Sequence, residues 1–374
     1  MACRARLSAG EPLPKGLFAS NSHEMGVFLK MKDMKQDVRA LLDSYRARGS
    51  FTKAVCAVSK NGKTVLELSM GCGLETFFDL GSVTELYTMT AILHQEALAR
   101  LALEERLDRL LPFAPLGPAT RSRFERLTVR DLLAHASGIP AWYPFYARQG
   151  SFWDVLEHVL SVEPAAQGPL HSDINFMILG EVVRAKCAGL KESLADLNAA
   201  IGASSTYGPV DAGICAETEN GNRAEAQRCA DMGLPFEGFR PADRPIVGTA
   251  NDGNAFYFFK GIAGHAGIFA SARALLKLGR IYLDGGSAGD KEWLRHKAVE
   301  ESFRDHGGGC GLGWSLSDVF PKGVGHASLS GPSLWLAPDR GIAAALLVNP
   351  LTADPIPDLS NLRRQLHAML LQSL

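Results

Sequence analysis

The sequence predicts a mixed α/β protein of the α+β kind: one antiparallel sheet flanked by terminal helices, with a helical region inserted into it. Three observations carry this. β-rich runs occur early in the chain and return after Gly309. The long stretch between them is helical and loop-rich in texture. Amphipathic helical patterns stand at both ends. Strands supplied by both ends, with helices between, imply a single sheet closed by the two termini.

The elements follow in order. Residues 1–30 read as a flexible lead-in. Residues 31–48 form an amphipathic helix with Met34, Val38, Leu41, Leu42 and Tyr45 on one face. Runs 54–59 and 64–70 make a hairpin around Asn61-Gly62, the strongest two-residue hairpin signal. An apolar stretch, 77–80, leads to Ser82. Residues 86–103 are long and periodic. Thr128 caps a helix through Leu133, with Asp131 in its first turn. Further helices cover 174–185 and 272–283. Residues 202–255, rich in Gly, Asn, Asp and Pro, predict long surface loops. Strands follow at 311–316, 325–329, 333–337 and 342–349, and an amphipathic helix closes the chain at 359–370. The sheet part therefore comprises 31–83 and 305–374, and the helical insertion 84–304, within one domain. The cleft between the two parts is the natural place for a site.

Composition narrows the function. The chain has 374 residues, 46% hydrophobic and 21% charged, with a net charge of −1. Near-zero charge argues against nucleic acid as a partner, because phosphate binding needs a basic surface. No apolar run is long enough to span a bilayer, so no membrane partner is expected. Residues 1–30 contain no apolar core segment and do not read as a secretory signal. The seven cysteines are odd in number and form no CxxC, so they read as reduced thiols. Together these predict a cytoplasmic protein.

The chemistry centres on Ser82, in Phe78-Asp79-Leu80-Gly81-Ser82-Val83-Thr84-Glu85. A serine at the mouth of an apolar strand, opening a helix, is one way to build an acyl-transfer nucleophile. Such chemistry needs a base, an acid for the leaving group and two donors for the oxyanion. Amides at a helix start favour developing negative charge.

Five separated stretches carry a family resemblance. They are Phe78 to Thr84; Leu132-Leu133-Ala134-His135-Ala136-Ser137-Gly138-Ile139-Pro140; His171-Ser172-Asp173 with the helix after it; Asn251 to Ala255 with Gly264-His265-Ala266-Gly267-Ile268-Phe269; and Gly325-His326-Ala327-Ser328-Leu329-Ser330-Gly331. In this order they resemble the serine β-lactamase and penicillin-binding-protein family, on its class C and esterase side. The resemblance implies a β-lactamase/transpeptidase-like fold and a serine acyl hydrolase acting on an ester, amide or β-lactam. It implies a small-molecule acyl substrate or a peptide as partner, and no cofactor or metal. It makes Ser82 the nucleophile, keeps Asp173, and places the oxyanion donors on the amides of Ser82 and Leu329. His326 and Ser328 lie on the third-motif strand, and Trp142 belongs to an aromatic loop that is either a buried anchor or a cleft wall.

The departures fall on the catalytic positions. The family's lysine, one helical turn after the serine, is Glu85 here. Its tyrosine is His171, and a glycine of the third motif is Ser328. Ser82, His171 and Glu85 would make a rearranged triad, with histidine as base and carboxylate as orienter. An imidazole ends on the order of 2 Å short of a phenol oxygen, so a water would bridge it to the serine. Three functions follow: a serine acyl hydrolase with reduced or lost activity, a pseudoenzyme binding a peptide, acyl ligand or partner protein in the same cleft, and an acyl-transfer tailoring enzyme. Ser82 favours the first and Glu85 the second. No H-x-x-x-H spacing supports a metal site, and His135 and His265 read as hydrogen-bonded structural histidines.

Overall fold

The computed structural model describes residues 33–111, 115–163 and 165–374. The expected lead-in, and the first residues of the expected first helix, lie outside them. Helix α1 covers 33–47, with Met34, Val38 and Leu42 buried. Strands β1 (Ala54–Lys60) and β2 (Lys63–Met70) form the expected hairpin. Asn61 and Gly62 both take positive φ, as a two-residue turn between twisted strands requires.

The short β3 (Phe78–Asp79) runs through a 3₁₀ turn, Gly81–Val83, into α2 (Thr84–Ala97). Helix α2 is shorter than the sequence pattern suggests. The amides of Leu98 and Ala99 bond back to His94 and Glu96, and Ala99 takes a φ of 56°. Leu101 and Leu103 are buried, but from non-helical chain. Helix α3 (Val129–Leu133) has the expected cap, with Thr128 and Asp131 bonding each other's amides reciprocally. Then come α4 (Asp173–Lys186), β4 (Ile268–Ala270), which pairs with β3, and α5 (Ala272–Leu283). Strands β5 (Val324–Ala327), β6 (Ser333–Ala337) and β7 (Ile342–Val348) precede α6 (Ser360–Ser373).

The main sheet is antiparallel in the order β5-β6-β7-β1-β2. Its centre joins the two ends of the chain, with Ala54 opposite Val348 and Lys60 opposite Ile342. Side chains alternate between faces, as the pleat demands. Cys56, Val58 and Leu68 pack on one face with Met34, Leu362 and Leu366 of the terminal helices. Val55, Ala57, Leu334 and Ala345 pack on the other, with α5 and the helical region. Each fully buried leucine contributes roughly 1.5–3 kcal/mol. Among the described residues no helix is long and apolar enough to cross a membrane.

Three further sequence expectations change. Residues 311–316 are not a strand: Gly311 bonds back to the Trp314 carbonyl, which folds the chain over and leaves only isolated bridges. The strand expected at 325–329 stops at Ala327, because Ser328 to Gly331 close a turn. The loops expected over 202–255 carry a helix, Arg223–Asp231, and short strands.

One close contact positions the site. A Cβ on Gly264 would lie 2.1 Å from the Phe176 carbonyl oxygen and 2.9 Å from the Gly180 amide nitrogen. The Gly264 carbonyl accepts from Thr88 Oγ1 at 2.7 Å. The segment carrying His265 is thus clamped between α2 and α4. Gly264→Ala should cost about 1–3 kcal/mol, the usual range for overpacking a tight contact. Urea denaturation of both proteins measures it, and an unchanged midpoint would show that the clamp is slack.

Candidate active site

Asp79 fixes the turn that presents Ser82. Its buried carboxylate accepts from the Gly81 amide at 3.0 Å and the Asn251 amide at 2.6 Å. Ser82 opens onto a cavity of about 130 Å³, shared with Trp142, Asp173, Arg228, Asp252, His265 and Leu329. The Ser82 amide donates to Ser328 Oγ at 3.2 Å. Ser328 Oγ also accepts from the Ser330 amide and lies 2.8 Å from Ser330 Oγ. The expected oxyanion pair is therefore not open on both sides: the Ser82 donor is taken by the neighbouring turn's own hydroxyl. Leu329 has an exposed side chain. Trp142 is both anchor and wall, since it is buried, lines this cavity and carries the Arg228 guanidinium 4.2 Å from its ring centre.

Glu85 is one helical turn beyond Ser82 and is fully buried. Its Oε2 faces three imidazole Nε2 atoms: His171 at 3.3 Å, His326 at 3.6 Å and His135 at 3.8 Å. Neither carboxylate oxygen makes a hydrogen bond. Burial pushes the Glu85 carboxyl up, and the His171 charge opposes this. Burial works against the His171 cation, but Glu85 and Asp173 together outweigh it and raise His171 to about 9. Burial, then repulsion from His171, lowers His326 to about 4 and holds His135 well below its usual value.

The elements behind these histidines are tightly tied. His135 Nδ1 accepts from the Ser172 amide at 3.1 Å, and Ser172 Oγ donates to the Pro140 carbonyl at 2.7 Å. Ser137 Oγ donates to Asn175 Oδ1 at 2.7 Å. Two of the quoted sequence stretches thus hold each other. On β5, Val324 joins the inner core and His326, two residues on, shares that face. His326 Nδ1 meets the Gly313 carbonyl at 2.9 Å.

Ser82 and His171 make no direct hydrogen bond with each other and line different cavities. His171 Nε2 faces Glu85, and its Nδ1 is 4.0 Å from Asp173 Oδ1, so both ring nitrogens address carboxylates. With His135, Gly313 and His326, the ring lines a second cavity of about 490 Å³ rather than that of Ser82. The physical reason is charge: a buried carboxylate draws the short imidazole toward itself. Sequence reading missed the Asp252–His265 pair, with His265 Nε2 at 2.8 Å from Asp252 Oδ1 inside the Ser82 cavity. It placed both residues in quoted stretches but gave His265 only a structural role. His135 is hydrogen-bonded as expected, yet its other nitrogen faces Glu85. Ligand atoms of Glu85, His171 and His326 lie within 4.8 Å of one another. They come from three distant segments, which no local spacing reveals.

Comparison with known proteins agrees with this architecture. The family model described as Beta-lactamase matches residues 38–368. A curated relative from Escherichia coli (strain K12), named "Putative D-alanyl-D-alanine carboxypeptidase", is 25% identical over 334 residues, covering 80% of this chain and 75% of its own. The solved structure of EstCE1, described as a hydrolase with promiscuous acyltransferase activity, superposes with a TM-score of 0.67. It is 16% identical and covers 91% of this chain and 99% of its own. A class C beta lactamase from Rhodobacter sphaeroides gives a TM-score of 0.65 at 18% identity, over 89% of this chain and 99% of its own. At these identities the structural likeness speaks to fold.

The Asp252–His265 pair has a pH signature. Burial opposes the His265 cation, but Asp252 outweighs it, with Asp173 and Glu85 adding to the attraction, so its pKa is raised. Burial also works against the Asp252 anion, but His265 outweighs it and the carboxyl is lowered. A raised histidine stabilises fully below about pH 6.5 and loses this as pH climbs through its folded value. A lowered aspartate stabilises above about pH 3.9 and loses this on acidification. Asp252→Asn should therefore cost most between about pH 4 and 6.5, about 3 kcal/mol or more for a broken buried pair. The deficit should shrink in alkali. Urea midpoints across pH measure it; a constant deficit from acid to alkali would mean that His265 is uncharged.

Proposed function

The chain belongs to the β-lactamase family, and we propose that it is a serine hydrolase-like member acting on an ester, amide or β-lactam through Ser82, with turnover reduced or lost. One observation carries the reading. Ser82 faces the cleft, but the group one turn away, Glu85, is sealed among imidazoles and unavailable to it as a base.

Attack by Ser82 Oγ on a carbonyl must release a proton. His265 lines the cavity, and Asp252 beside it favours its protonated form against the effect of burial. Asp173 also lines it, and burial raises its carboxyl to about 6. A base near that value still operates at neutral pH, though weakly against an alcohol. Arg228 supplies a countercharge for an anionic substrate terminus. That suits a peptide ending in a carboxylate, in line with the curated relatives' carboxypeptidase names. A second reading, binding without turnover, is favoured by Ser328 Oγ, which occupies the amide that an oxyanion would need.

Fluorophosphonate should label the chain slowly and once, and Ser82→Ala should abolish the label, as read by intact mass. Ser328→Gly should raise ester hydrolysis about tenfold or more, since one oxyanion donor is worth about 10²–10³. Glu85→Lys combined with His171→Tyr should also raise it, within the roughly 10²–10⁴ of general-base catalysis. A wild type without label or turnover, and no gain in either variant, would select the binding reading.

A further inference from the structure

The Glu85 cluster has an unresolved electrostatic problem. Its carboxylate is fully buried, and neither oxygen has a hydrogen-bond partner. His326 does not supply a proton in ordinary form. Its Nδ1 is 2.9 Å from the Gly313 carbonyl, which can only accept, so the proton is on Nδ1 and Nε2 presents a lone pair. That lone pair points at Glu85 Oε2 across 3.6 Å. When Glu85 is ionised, two acceptors thus face each other in a buried space. A proton on His171 satisfies its own contact but leaves this one opposed.

We propose that Glu85 Oε2, His171 Nε2 and His326 Nε2 form a binding site for a divalent transition-metal cation of the Zn²⁺ class. The donor set, two imidazoles and one carboxylate, is one that such ions take at open sites. The spacing is close to what the ion needs. With metal–ligand bonds of roughly 2.0–2.1 Å, a tetrahedron's edges are about 3.3–3.4 Å. The contacts from Glu85 to His171 and His326 are 3.3 and 3.6 Å, and all three ligand atoms lie within 4.8 Å of one another, so ion binding would need the two rings to adjust toward a common centre. For His326 the supporting contact is of the kind that fixes a ligand tautomer, since its Nδ1 donates to a backbone carbonyl. His171 Nδ1 lies 4.0 Å from Asp173 Oδ1, near enough for charge attraction but not for a hydrogen bond.

His135 is excluded as a ligand by the same logic. Its Nδ1 accepts from the Ser172 amide, so Nε2 carries the proton and has no lone pair to offer a metal; it lies 3.8 Å from Glu85 Oε2, beyond hydrogen-bonding distance. Three ligands leave a coordination position toward the cavity of about 490 Å³ that His171 and His326 line. His171 is half-exposed, which gives the ion an entry path. The site does not depend on whether Ser82 turns over.

The test uses the full chain, treated with chelator and then titrated with Zn²⁺ by calorimetry and with Co²⁺ by visible absorption. One equivalent should bind, with the d–d bands of low-coordinate Co²⁺. Glu85→Gln, His171→Asn and His326→Ala should each weaken binding by about 100-fold or more, beyond the 10–100-fold typical of supporting residues. Cys310→Ser, which removes the thiol lining the same cavity, should change nothing. Zinc-edge X-ray absorption on the wild type keeps the test valid if a variant fails to fold: it should show imidazole and oxygen donors without sulfur. Absence of stoichiometric binding, a sulfur shell, or full affinity in folded His171→Asn would overturn the proposal.

Discussion

A carboxylate sealed from water with no donor of its own is the constraint around which this cleft is arranged. Removing such a group from water costs several kcal/mol even after relaxation. Glu85 bears that cost on the first turn of α2, and its surroundings must offset it. The answer comes from three places: a loop beside α3, the segment entering α4, and β5 at the sheet edge. Insertion and sheet therefore meet at one buried group.

The sign of that group decides how its neighbours behave. A lysine there would repel protonated imidazoles and support a developing alkoxide on the serine. A carboxylate does the reverse. It holds the His171 Nε2 3.3 Å from its own oxygen, while the serine lies in a separate cavity. The hydroxyl of Ser328 then takes the Ser82 amide. The Asp252–His265 pair adds a second compensated charge on the serine's side. Chemistry built on proton acceptance has been exchanged for an arrangement of carboxylates set against imidazoles.

Much of the fold was legible because its signals are local. The Asn61-Gly62 turn, the Thr128 cap, the period of 272–283 and the alternation in β6 and β7 each follow from neighbours in sequence. The errors arose where burial imitates periodicity. Leu101 and Leu103 continue the spacing of α2 because they face the same core, not because the helix continues. Within the site, Ser82, Asp173, Leu329 and Trp142 do share a cavity. The grouping of Glu85 with His171, His326 and His135 was not legible. It depends on tertiary contacts between segments whose individual motifs say nothing about one another, and on which nitrogen each ring turns inward.

The pairing of β1 with β7 has a consequence for how the molecule is made. Strands β1 and β2 leave the ribosome before the helical region, and the strand that covers the other edge of β1 leaves it after that region. Throughout synthesis, an apolar strand waits with its backbone donors and acceptors unmatched. Such an edge is a template for any passing strand, and long-range pairing closes slowly. His326 lies on the same late-arriving strands. The nascent chain thus carries Ser82 and Glu85 well before it has the element that encloses them, and the cleft comes into being only once β5 to β7 have followed.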